Sequence, residues 1–198
     1  MKDKRQRILN EALKLVPFNG WTSDTLLNSV KAANLDENYA KILFDGDVAK
    51  LVEFFINTIE NKATSLIDKK YLDTLSVRNR VAYCVKTYLE AANIYKPSIR
   101  KTVAFYVSPI RFFDSFKSLW KIADEIWYAS GDKSTDYNHY TKRAILSALY
   151  SSTLLYWIND KSDNHINSWA FLDRRIENVM QIEKYKSKAK DILKKIKK

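Results

Sequence analysis

Glycine and proline are scarce here, with three of each among 198 residues. So little turn-forming material excludes a fold of many tight hairpins and leaves long helices with short connections. Cysteine occurs once, at Cys84, and histidine twice. A lone cysteine excludes an internal disulfide and fits a reducing compartment; its place in an apolar helical stripe marks a core thiol. Two histidines are too few for the clustered ligands of a zinc or transition-metal site. The Glu-x-x-His pairs of carboxylate-bridged bundles are missing, and Asp136-Tyr137-Asn138-His139 is a lone variant. Asp132, Ser134 and Asp136 alternate as in a calcium loop, but Tyr137 and Arg143 stand where that loop needs Gly and Glu. No phosphate-cradling glycine loop, GxSxG elbow or dinucleotide fingerprint occurs. These absences disfavour an enzyme and imply neither metal nor organic cofactor. The longest uncharged stretch, Ala144 to Asn159, contains Ser147, Ser151, Ser152 and Thr153. It falls short of the roughly 20 apolar residues that cross a bilayer.

What is present is helical periodicity. Hydrophobic residues make up 46% of the chain and charged residues 29%, enough for a sizeable core under a charged surface. Ile8, Leu9, Ala12, Leu13 and Val16 predict a first helix closed by Pro17 and Gly20. A second runs from Thr22 or Ser23 to Ala33, and Asp36 caps a third through Phe44. Longer stripes follow: Val48 to Leu66, then Val77 to about Tyr95. Pro97 and Pro109, each suited to a first turn, bracket a shorter helix. Another helix carries Phe113, Phe116, Trp120 and Trp127 toward Gly131. A central helix spans Tyr140 to Ile158, and Ile166 to Met180 leads into the tail. The fold class is all-α, and the three short helices at the start resemble the helix-turn-helix end of TetR-type regulators.

That layout raises a transcriptional regulator with a hydrophobic ligand pocket as the rival reading. A recognition helix must bring its N-terminal residues to the bases among phosphates. Here the third helix begins with Asp36 and Glu37 and carries only Lys41 as a base. Two carboxylates at that place face phosphate repulsion, so no nucleic-acid partner is expected.

The formal charge of +11 is concentrated at one end: in Gln181 to Lys198 eight lysines face only Glu183 and Asp191. Ile182, Tyr185, Ala189, Ile192, Leu193 and Ile196 recur at helical spacing, with lysines on the other flank. A basic amphipathic helix of this kind suits an anionic membrane surface, with Tyr185, Lys188, Ile192, Leu193, Lys194, Lys195 and Ile196 in contact. A solvated charged helix is the plainer alternative.

The run Gly131 to Arg143 (GDKSTDYNHYTKR) is the most distinctive stretch. Gly131 to Asp136 reads as a helix C-cap followed by an N-cap. Capping leaves Tyr137, Asn138, His139, Tyr140, Lys142 and Arg143 unexplained, a mixture that suits a protein contact. This run and Arg7 to Thr22, Leu75 to Val81, Asp124 to Thr153 and Trp169 to Lys184 together resemble the ubiquinone (coenzyme Q) biosynthesis accessory family known as coenzyme Q biosynthesis protein nine. The resemblance implies a TetR-like helical bundle that has lost DNA binding and a hydrophobic pocket for an isoprenoid quinone intermediate. It also implies a C-terminal membrane-binding helix and demethoxyubiquinone hydroxylase as partner. The family's partner patch, carried over, involves Asp132, Tyr137, Asn138, His139 and Tyr140. The family more often has Trp at His139, and a Trp anchor buries far more apolar area.

Candidate pocket residues are Phe112, Phe113, Phe116, Trp120, Trp127, Ser147, Tyr150 and Ser151. Aromatics of this kind serve any helical core, and the small residues leave room either for close helix packing or for a cavity. The expected organisation is a three-helix unit over 1–46, a lipid-binding and dimerisation domain over 47–180 and a membrane-binding tail over 181–198. A homodimer is expected by analogy with TetR-like bundles. With no leader visible and a composition rich in Lys, Ile and Asn, the expected location is the bacterial cytoplasm, on the inner face of the cytoplasmic membrane.

Overall fold

The structure, a computed structural model, describes residues 1–108, 111–130 and 137–196, without the side chains of 112–115, 137–138 and 182–196. Helices joined by short turns account for the described residues, and no strand occurs among them. The helices are α1 (Lys2–Asn19), α2 (Ser23–Ala32), α3 (Asn38–Phe44), α4 (Val48–Leu66), α5 (Lys69–Thr74), α6 (Val77–Ala91), α7 (Lys96–Val107), α8 (Phe112–Ala129), α9 (Tyr137–Asn159) and α10 (Ile166–Ile196). They fall into two compact units, Met1–Ile67 with Thr87–Ser118, and Asp68–Lys86 with Leu119–Lys198.

The first unit holds the three short helices. α1 runs through Pro17 and stops at Gly20, whose φ of 72° is open to glycine and whose N–H bonds to the Val16 carbonyl. Thr22 caps α2 by accepting from the Thr25 N–H at 3.1 Å. Asp36 accepts from the Asn38 N–H just ahead of α3, and α3 ends on left-handed Asp45. Ile8, Leu9, Ala12 and Val16 of α1 are fully buried, as are Leu51, Val52 and Phe55 of α4. Trp21 joins this core at 5.4 Å from the Phe55 ring and donates through Nε1 to Thr102 Oγ1 of α7 at 2.8 Å.

The second unit begins with α5, a helix the apolar pattern does not announce. Asp68 caps it by accepting from the Lys70 and Tyr71 N–H groups. The helix expected over Val77 to Tyr95 breaks at Ala91; a 3-10 turn over Asn93–Tyr95 precedes α7, whose first turn holds Pro97. Arg80 donates to the carbonyls of Leu75, Ser130 and Asp73, tying the start of α6 to the turn before it and to the end of α8. Cys84 is buried beside Ser130. Burial pushes its thiol up to about 11 against a smaller opposing pull from the Ser130 hydrogen bond, so it is an inert core residue. α9 packs along α10. Between them Asn164 and His165 both take positive φ, and the Asn164 carbonyl accepts from Trp169 Nε1 at 2.8 Å. Fully buried Trp157 meets the His165 ring edge-on at 5.6 Å.

Candidate functional site

The second unit contains an apolar groove of about 340 Å³ walled by α6, α8, α9 and α10. Its side chains recur at helical spacing: Val77 and Val81 on α6, Ile145 and Leu149 on α9, Ile176 and Met180 on α10. Val81, Leu146, Leu149 and Ile176 form a buried floor, whereas Val77 (58% exposed) and Met180 (48% exposed) open at the rim. Exposed apolar side chains beside a concave apolar floor suit a ligand that is itself apolar. Trp127 is the one aromatic among the described residues of the wall. Its Nε1 donates to the Lys142 carbonyl at 2.9 Å, and the Lys142 ammonium sits 5.4 Å from its ring centre. Among the described lining residues the polar side chains are Arg78, Thr141 and Lys142; Arg78 pairs with Glu177 at 3.6 Å.

Of the pocket residues proposed from sequence, Trp127 lies in this wall, and Phe116, Trp120, Ser147, Tyr150 and Ser151 are not among its described lining residues. Ser147 is buried, and its hydroxyl donates to the Leu119 carbonyl of α8 at 3.4 Å. Ser151 donates to the Ser147 carbonyl at 2.7 Å. Here the small residues of α9 serve helix packing and back-bonding. Tyr150 is buried, Trp120 half-buried and Phe116 exposed; the side chains of Phe112 and Phe113 lie outside the described residues. The aliphatic floor was missed by sequence reasoning, because Val81, Leu146, Leu149 and Ile176 carry no feature that separates groove from core.

A second polar corner lies where α8 faces the start of α9. The Arg143 side chain is buried; its Nε donates to Asp124 Oδ1 and its Nη1 to the His139 carbonyl at 3.2 Å. His139 Nε2 stands 3.9 Å from the same Asp124 oxygen, and its ring meets Tyr140 edge-on at 5.1 Å. Arg143 is thus a strut and Lys142 a cover for Trp127, which explains two residues that capping does not. Tyr140 is 62% exposed and His139 half-buried. Asp132 and the side chains of Tyr137 and Asn138 lie outside the described residues, as do those of Tyr185, Lys188, Ile192, Leu193, Lys194, Lys195 and Ile196. The α10 backbone continues helical to Ile196. No described helix is long and apolar enough to cross a membrane.

Residues 112–183, which carry Trp127, the groove's α9 wall and its α10 wall, match the family model described as COQ9. The COQ9 protein of Schizosaccharomyces pombe, named a mitochondrial ubiquinone biosynthesis protein, is 30% identical over 89% of this chain and 70% of its own. The chain belongs to the COQ9 family. Its likeness to the human and Xenopus tropicalis proteins is 27% and 28% identity over 90% and 89% of this chain, but only 58% and 57% of theirs. The chain therefore spans less than two thirds of those COQ9 proteins. A solved structure of a TetR transcriptional regulator from Nitrosomonas europaea superposes with a TM-score of 0.70 at 13% identity, covering 87% of this chain and 95% of the other. At that identity it shows the fold: all-α and TetR-like. The expected bacterial cytoplasmic location is overturned, since the COQ9 relatives are named as mitochondrial. It rested on residue composition and on the first residues, neither of which reports the compartment.

Proposed function

We propose that this COQ9-family chain is a non-catalytic lipid-binding accessory protein of ubiquinone biosynthesis. It takes up an isoprenoid quinone intermediate at a membrane surface and presents it to demethoxyubiquinone hydroxylase. The observation that carries this reading is the apolar groove of the second unit, whose volume of about 340 Å³ lies at the small end of ligand sites. It is large enough for the ring and the first isoprene units, and a long tail extends beyond it. The relatives' names as ubiquinone biosynthesis proteins support the pathway and support a mitochondrial membrane. The basic tail supports attachment to that membrane, and exposed Tyr140 beside His139 supports a partner contact there. The test is deletion of the gene followed by quinone profiling. A demethoxyubiquinone-type intermediate accumulates and is cleared by the intact gene; unchanged ubiquinone would sink the proposal.

A further inference from the structure

In the first unit, α7 turns an apolar and cationic face outward. Its inner side buries Ser98, Ile99 and Thr102. Thr102 fixes that side, because its hydroxyl accepts from Trp21 Nε1 at 2.8 Å and donates to the Ser98 carbonyl at 2.9 Å. Pro97, Arg100, Ala104 and Val107 recur three and four apart on the opposite side, and all four are exposed. Val107 is 73% exposed, and Ile94, in the 3-10 turn that leads into α7, is 70% exposed. Half-buried Lys101 stands four residues after Pro97 and three before Ala104, so it borders the same stripe. Between Ala91 and Phe113 the sequence holds Lys96, Arg100, Lys101 and Arg111 and no Asp or Glu.

Such a face gives a protein partner little to recognise. Its outward apolar groups are aliphatic, without the aromatic anchors that carry protein contacts, and α7 brings no carboxylate to a partner's cations. A lipid surface requires neither: it takes aliphatic groups in any register and attracts positive charge. Resting on the reading of the basic tail as a membrane attachment, we propose that the outward face of α7 is a second membrane contact, carried by the first unit and directed at an anionic bilayer. Ile94, Ala104 and Val107 meet the headgroup boundary, and Lys101 is drawn to lipid phosphate. A stripe this short does not hold the chain alone. It engages once the tail has tethered the protein, when its effective concentration at the bilayer is high. A chain held by its tail alone is free to rotate, and the second contact limits that rotation.

The test places a probe on the face. Cys84 is buried and its thiol is pushed up to about 11, so an introduced exposed cysteine takes a thiol-directed label selectively. The full chain carrying Val107→Cys, labelled with a nitrobenzoxadiazole dye, is mixed with phosphatidylcholine–phosphatidylglycerol vesicles. The emission is expected to shift to the blue and to be quenched by nitroxide lipids. The same dye on Ile42→Cys of α3, a position 57% exposed, stays in water. Removal of Glu183 to Lys198 abolishes flotation and returns the dye at position 107 to water. Lys101→Gln lowers partition to these vesicles about fivefold, the size of one lysine's attraction, and leaves the melting temperature unchanged. If the full chain floats while the dye at position 107 stays in water, the α7 contact falls and the tail reading stands. If the full chain does not float, both fall. A blue shift without vesicles that grows with protein concentration assigns the face to a second copy, and equal quenching at positions 107 and 42 reports unspecific adsorption; either overturns the proposal.

Discussion

Asp160 closes the turn between α9 and α10 by accepting from the N–H and hydroxyl of Ser162 and from those of Ser168. Ser168 is the third residue of α10, so the carboxylate satisfies an N–H that the helix itself leaves open. Desolvation alone would raise its pKa, but the bonds from Ser162 and Ser168 outweigh it and hold the carboxyl well below the usual range. A folded-state pKa below the unfolded one stabilises the protein above the unfolded value, and that contribution is lost as pH falls through the folded value. Asp160→Asn is therefore expected to cost about 1 kcal/mol at pH 7, a fall of about 2–4 °C in Tm for a chain of this size. The gap between mutant and parent stays constant down to about pH 5 and narrows below about pH 4; thermal melts across that range check it. A gap that widens in acid would contradict this account. Such a residue is hard to see in sequence, because Asp160 reads as an ordinary loop acid until Ser168 is folded back onto it.

Among the helices, α3 bears on the rival regulatory reading most directly. Its approach carries Asp36, which accepts from the Asn38 N–H, and Glu37, which pairs with Lys31 at 3.0 Å on the surface. Where a DNA reader presents donors, this element presents carboxylates. In a low-salt gel shift the chain is expected to leave duplex DNA unmoved at micromolar protein; tight, sequence-dependent binding would restore the regulator. Some helices were legible from a long stripe, as with Val48 to Leu66, which matches α4 end for end. α5 was not, since its six residues are too few to show a period and Asp68 announces it only through side-chain capping. The break between α6 and α7 escaped notice because Ala91, Ala92 and Ile94 continue the apolar run while the chain turns. The groove was legible only in Trp127: aliphatic side chains at i and i+4 look alike whether they meet a partner helix or a ligand.

Over the chain as a whole, charge is divided unevenly, and the tail that holds much of the +11 continues as the end of α10. Each lysine near an anionic surface contributes about 1 kcal/mol, an attraction that salt screens over about 10 Å at 0.1 M. Flotation with anionic liposomes is expected at low salt, to weaken as salt rises, and to vanish when Glu183 to Lys198 is removed. Equal flotation of the truncated chain would detach the tail from the membrane proposal. The all-α class and the TetR-like start could be read from the sequence because they are written in local periodicity. The composition of the two units could not, since each joins two separate stretches of chain.

That interleaving has a consequence for how the protein is made. The first unit needs Thr87–Ser118 and the second needs Asp68–Lys86, so neither is a continuous piece of chain. On the ribosome, the first 67 residues emerge well before the segment that completes their core. They must wait, partly folded, while the first strip of the other unit passes out ahead of it. No single cut in the gene separates the units, and a nascent chain halted before Ser118 holds two unfinished cores with apolar faces open to chaperones.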